Sequence, residues 1–133
     1  MLYLLDSYTL VYYLRGRPEG TQKLLETPRE DFSTSSLYIR ELYYGAAKSE
    51  RQIERKAAVD QLQSTLISLS LSNKEMESLG RFRACLEKQG IKLSQADLMI
   101  AVTALDHTLI AVTGNVKHFR RSQGLKLENW IKR

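Results

Sequence analysis

The segment Leu2-Tyr3-Leu4-Leu5-Asp6-Ser7 sets the frame for the whole chain. Four apolar residues in a row read as a short strand buried on both faces, and an acid follows directly. Ser7 then suits the cap of a helix over Tyr8–Arg15, which Gly16 and Pro18 end. Pro18 in turn fits the first turn of a short helix through Glu26. The same alternation repeats along the chain. Phe32–Ser35 reads as a strand, Ser36–Lys48 and Ile53–Ser64 as helices, and Leu66–Leu71 as a third strand. Ser72-Asn73-Lys74-Glu75 has the pattern of a capping box, opening a helix that runs to Gln89 and stops at Gly90. Ser94 opens a helix to about His107, which we read as a helix-end residue. Leu109–Val112 is a fourth strand, and residues 125–130 offer a short edge strand. Strands separated by helices predict an α/β chain, with a central parallel sheet of four to five strands and helices on both faces. In such sheets ligands gather beyond the carboxyl ends of the strands.

The 133 residues fit one domain, residues 1–133, and 43% hydrophobic content is enough for a real core. The single cysteine, Cys85, excludes a disulfide framework within the chain and argues against a cysteine-built zinc site; its place in a helical pattern reads as a buried or inert thiol. The first residues lack the basic segment of a signal peptide, and Asp97, Asp106 and His107 break the longest apolar stretches. A cytoplasmic protein without a membrane segment is therefore expected. The formal net charge of +5 is uneven: residues 81–133 hold ten Lys or Arg against four Asp or Glu. A basic half suits a polyanionic partner such as a nucleic acid.

Three acids interrupt the apolar pattern. Asp6 stands at the carboxyl end of the first strand, either as a site residue or as a helix cap. Glu41 shares a helical stripe with Tyr38, Leu42, Gly45 and Ala46, either as an acid on a buried face or as a rim residue paired with Arg40 or Lys48. Gly45, one turn on, leaves room for a close approach. Asp97 lies on one face with Ile100, Ala101, Ala104 and Leu105, although Ser94-Gln95-Ala96-Asp97 also fits a capping box. Three carboxylates converging near strand ends require a compensating cation. Hard oxygen ligands without cysteine or a histidine pair select Mg²⁺, with Mn²⁺ as a substitute. Such an ion beside a basic surface points to phosphodiester cleavage by metal-activated water. Among the seven tyrosines, the pairs Tyr12–Tyr13 and Tyr43–Tyr44 each put at least one ring at the surface, where it suits a protein interface.

Leu4-Leu5-Asp6-Ser7, the run from Ser35 to Gly45 with Glu41, Ser94 to Ala101 with Asp97, Val112-Thr113-Gly114-Asn115 followed by His118-Phe119, and the ending Gly124 to Trp130 together resemble the VapC-type toxins of the PIN-domain ribonuclease family. The resemblance covers essentially the whole chain. It implies a three-layer α/β/α PIN fold, a Mg²⁺-dependent endoribonuclease acting on RNA, and a VapB-type antitoxin that silences it. It further implies a homodimer or a toxin–antitoxin hetero-oligomer. By position, Asp6 and Asp97 match the principal metal ligands, and Glu41 matches the acid that completes the site or positions the water. Thr113 and Asn115 match the polar turn that can join the site. Many relatives carry an acid where this chain has His118, so a fourth carboxylate is absent here, and many carry asparagine where it has Tyr8. Two other readings share the scaffold: a non-catalytic nucleic-acid-binding module and a structure-specific DNA nuclease.

Overall fold

The computed structural model describes residues 1–15, 22–114, 116–119 and 124–131. At its centre is β1 (Tyr3–Leu5), hydrogen-bonded to β2 (Phe32–Ser35) on one side and to β4 (Ile110–Val112) on the other. Outside these lie β3 (Ile67–Leu69), next to β2, and β5 (Leu127–Glu128), next to β4. The order is β3-β2-β1-β4-β5 and every pairing is parallel. The expected edge strand at 125–130 is thus present as the fifth member.

Helices make the crossovers. The first joins β1 to β2 through α1 (Ser7–Arg15), α2 (Gln22–Glu26) and a 3-10 turn at Arg29–Asp31. Next come α3 (Ser36–Lys48) and α4 (Gln52–Thr65), leading to β3. The third crossover is α5 (Asn73–Lys88) and α6 (Gln95–Asp106), and α7 (Val116–Phe119) precedes β5. The segment from Pro18 to residue 21, expected to be helical, lies outside the described residues. Serine hydroxyls set three of the helix starts. Ser35 Oγ accepts from the Leu37 N–H, Ser72 and Glu75 form the reciprocal capping box read in the sequence, and Ser94 Oγ accepts from the Asp97 N–H. Gly90 follows α5 with φ near +76°, a conformation that suits glycine.

Alternation along the short strands divides the core. Leu5, Phe32 and Val112 face one side with Leu10, Leu42, Val59 and Trp130. Leu4 and Ala111 face the other with Ile100, Ala101, Ala104 and Phe119. The result is a sheet between two helical layers, as the pattern predicted. A third cluster, Leu79, Leu86, Leu98 and Val102, joins α5 to α6. Phe32 anchors the first side, with Tyr13 edge-on at 6.0 Å and Trp130 also at 6.0 Å. Burying such a ring contributes about 2–3 kcal/mol. The hydroxyl-rich β2 can be buried because Ser33 and Thr34 donate to the carbonyls of Tyr3 and Leu5 on β1, at 2.8 and 2.9 Å.

Several local expectations need correction. Asp6 caps α1, and Ser7 is already helical. Tyr12 and Tyr13 are both half-buried, since the sheet side of α1 covers one ring and Tyr8 meets the other at 5.2 Å; in the second pair Tyr44 is exposed, as expected. Cys85 is exposed, because α5 packs inward through Leu79, Phe82 and Leu86 and position 85 falls off that stripe. His107 does end α6, and its Nε2 lies 3.5 Å from Glu75. Among the described residues no helix is long and apolar enough to cross a membrane.

Candidate active site

Asp6 prolongs the central ladder by one residue: its N–H donates to the Val112 carbonyl at 3.1 Å. The chain then turns into α1. The Asp6 carbonyl accepts from the Leu10 N–H, and its Oδ1 accepts from the Thr9 N–H at 2.8 Å. The cap that the sequence offered for Asp6 is therefore present. The same residue is a buried carboxylate, 6% exposed, at the carboxyl end of the middle strand. The cap occupies one oxygen through a charge-assisted bond, and the helix dipole favours the negative charge there.

Glu41 comes from α3, which starts straight after β2, the neighbour of β1. The side chain is exposed, and it accepts a 2.6 Å hydrogen bond from Ser7 Oγ in the first turn of α1. The sequence suggested a buried acidic stripe or a rim pair with Arg40 or Lys48. The stripe's buried members are Leu42 and Ala46, while Glu41 sits at its rim and is held by a serine; Lys48 lies over the Tyr44 ring instead. Gly45 makes no close approach, for a Cβ added there would meet nothing within 4 Å.

Asp97 occupies the first turn of α6 and is half-buried. Its N–H is capped by Ser94, and the residues that follow it, Leu98 and Ile100–Ala104, are all buried. Thr113 comes directly after β4. It is 2% exposed, and its N–H donates to the Glu128 carbonyl at 2.9 Å. Asn115 and the side chain at 118 lie outside the described residues.

Tyr38 shows how these groups relate. It sits on α3 one turn before Glu41 and packs against the clusters on both sides of the sheet. Burial, then the fields of Asp6, Glu41 and Asp97, hold its hydroxyl far above the usual phenol range. Each of these three acids disfavours the phenolate at this one hydroxyl. Read from the sequence, Tyr38 is only a stripe neighbour of Glu41. Its position between three acid-bearing elements depends on tertiary packing, so no local signal marks it.

The donor set is all hard oxygen: three carboxylates beside hydroxyls. Among the described residues no three Asp, Glu, His or Cys side chains stand near enough to cage an ion by themselves. An open carboxylate set suits Mg²⁺ or Mn²⁺, because Mg²⁺ keeps several waters and takes only one or two carboxylates plus substrate phosphate oxygens. The residues fit such an ion, with Asp6, Asp97 and Glu41 as its carboxylates.

A cleft of about 520 Å³ leads away from this end of the molecule between α1, α3 and α4. Ser7 and Glu41 lie on its wall. Val11, Leu14, Ala46, Ala58 and Val59 give it an apolar lining, and Arg15 and Arg55 join them.

A family model of the PIN domain matches residues 3–124. Ribonuclease VapC2 of Haemophilus influenzae is 33% identical over 129 residues, which is 97% of this chain and 98% of that protein. The tRNA(fMet)-specific endonuclease VapC of Salmonella typhimurium is 30% identical over 128 residues, covering 96% and 97%. Among solved structures, VapBC2 of Rickettsia felis, bound to a DNA fragment from its promoter, matches with a TM-score of 0.83 and 32% identity over 98% of this chain and 99% of that one.

Proposed function

This chain belongs to the PIN-domain family, and from that premise we propose that it is the endoribonuclease toxin of a toxin–antitoxin pair, cutting RNA with the help of Mg²⁺ or Mn²⁺ held at Asp6, Asp97 and Glu41. What supports the reading is the placement of the acids: Asp6 at the end of β1, Glu41 on α3 bonded to the neighbouring Ser7, and Asp97 at the start of α6, all three acting on the Tyr38 hydroxyl. Asp6 has a structural job as the cap of α1, but bringing two further acids toward it costs stability unless a cation compensates.

Asp6 and Asp97 are the principal ligands. The Asp6 carboxylate is fixed by the bond from the Thr9 N–H, and Asp97 sits in the first turn of α6, whose start is capped by Ser94. Glu41 is the more exposed acid, and Ser7 tethers it where it orients the attacking water. When bound, the ion supplies a lowered pKa for that water and neutralises charge on the phosphate. Thr113, directly after β4, and Asn115 are accessory groups. The basic half of the chain draws the RNA anion toward this edge.

The cleft between α1, α3 and α4 is the place for the antitoxin. An extended or helical tail lays apolar side chains along Val11, Leu14 and Ala46, and a basic side chain at its end reaches Glu41 and competes with the ion. VapBC complexes among the similar structures support such a partner. A homodimer in the cytoplasm completes the reading, with exposed Tyr44 and Tyr8 as candidate interface rings.

Purified protein is assayed on total cellular RNA with EDTA, then with Mg²⁺, Mn²⁺ or Ca²⁺ restored. Cleavage stops in EDTA and returns with Mg²⁺ or Mn²⁺ but poorly with Ca²⁺, whose longer bonds and higher coordination place water and phosphate less well. Full cleavage in EDTA removes the metal from the mechanism.

A further inference from the structure

We propose that the Tyr38 hydroxyl is a phosphate-binding donor of the nuclease site, giving its hydrogen bond to a non-bridging oxygen of the RNA phosphodiester that reacts at Asp6, Glu41 and Asp97. This rests on the nuclease reading above and adds a residue to it.

The site is rich in acceptors and poor in donors. Ionised carboxylates only accept, and a phosphodiester brings further anionic oxygens. The donors nearest the acids are spoken for: Ser7 Oγ gives its proton to Glu41 at 2.6 Å, and the Thr9 N–H gives its own to Asp6 at 2.8 Å. Tyr38 takes part in neither of these bonds, its ring is wedged between the core clusters on the two sides of the sheet, and it lies one turn before Glu41 on the same helix. A rigid ring fixes where the oxygen is, so the bond costs little ordering when substrate arrives. A phenol keeps its proton through the neutral range, so this oxygen can donate there. A phosphate entering a field of three carboxylates thus meets a neutral donor already in place, complementing what a cation offers from the other side.

Tyr38→Phe removes the oxygen and keeps the ring. The wild-type cleavage site is mapped on total cellular RNA, and a short RNA spanning it is made with oxygen or with sulfur at either non-bridging position of the scissile phosphate. Wild type and variant are compared on all three substrates in Mn²⁺. Loss of one hydrogen bond to a charged oxygen predicts a fall of roughly ten- to a hundredfold in kcat/KM on the oxygen substrate. The melting temperature and the Mn²⁺ concentration for half-maximal activity stay unchanged. The diastereomer whose sulfur replaces the Tyr38-bonded oxygen slows the wild type but slows the variant no further. A purely structural role moves stability and leaves the sulfur effect the same in both proteins, which overturns the assignment. So does a variant that cleaves like the wild type, or a wild type indifferent to sulfur at both positions. A wild type inert on every RNA overturns the nuclease reading and this one with it.

Discussion

Replacing Asp6 by asparagine and by alanine separates its two jobs. Asp6 caps α1 through a 2.8 Å bond from the Thr9 N–H, and both residues are buried, at 6% and 1% exposure. Asparagine caps about as well as aspartate, so Asp6→Asn keeps that bond and gives up only the charge. Relief of repulsion with Glu41 and Asp97 offsets part of any loss, and the net change in stability stays within about 1 kcal/mol. Alanine deletes the cap, at about 1 kcal/mol, and leaves the Thr9 N–H without an acceptor in a buried place, at about 1–2 kcal/mol more. For a chain of this length that total of about 2–3 kcal/mol lowers the melting temperature by about 6–10 °C. Cleavage is lost in both variants, by roughly a thousandfold or more, because each removes a ligand of the ion that activates water. Urea unfolding and RNA cleavage on the same preparations give the answer. Asp6→Asn cleaving within tenfold of the wild type, or unfolding as readily as Asp6→Ala, would refute the reasoning.

Other outcomes follow from the same geometry. Ser7→Ala removes the 2.6 Å tether of Glu41 at a partly exposed place, so urea unfolding should change by under ~1 kcal/mol, while kcat falls several-fold as Glu41 gains freedom. Gly45→Leu puts a side chain into open space on the cleft wall; the helix gains up to about 1 kcal/mol, cleavage persists, and the affinity for an antitoxin tail, measured by calorimetry, falls at least tenfold. The raised Tyr38 gives an alkaline signature in metal-free protein. Below the ordinary phenol range both folded and unfolded states keep the proton, and above pH 10 the unfolded chain ionises while the buried phenol does not. Wild-type stability should therefore fall relative to Tyr38→Phe as pH rises from 9 to 11, by urea unfolding at each pH; parallel curves would show that the hydroxyl is not held protonated.

The sequence was legible where causes were local. The box at Ser72 and Glu75, the cap at Ser94 and the stop at Gly90 each act within a few residues, and the helices they bound stand where expected to within a residue or two. Asp6 and Asp97 stood out because each interrupts or opens an apolar run, and the fold delivers them to one edge. Glu41 was left between a buried stripe and a rim pair with Arg40 or Lys48; it lies at the rim but with Ser7 as its partner, since only the packing of α4 against α3 decides which flank of the stripe is covered. Tyr12 and Tyr13 misled for a similar reason: α1 has neighbours on more of its surface than its own periodicity discloses. Cys85 is the avoidable error, because the spacing of Leu79, Phe82 and Leu86 already excluded it from the buried stripe. Tyr38 could not be found locally, for its meaning comes from three elements distant in sequence.

The placement of β1 has a consequence for how the protein is made. This strand is made before the other four, yet it is the middle of the sheet, and one of its two partners is β4, with Leu5 opposite Val112. The Asp6 N–H itself waits for the Val112 carbonyl, and α6, which brings Asp97, docks against Leu4 together with Ala111. Contacts between residues so far apart form late and as a unit. Until the stretch around Val112 has cleared the exit tunnel, Asp6 and Asp97 belong to unjoined halves and the nascent chain has no assembled centre. The order of synthesis thus acts as an interlock: the segments that carry Asp6 and Asp97 are joined only once α6 and β4 have both been made.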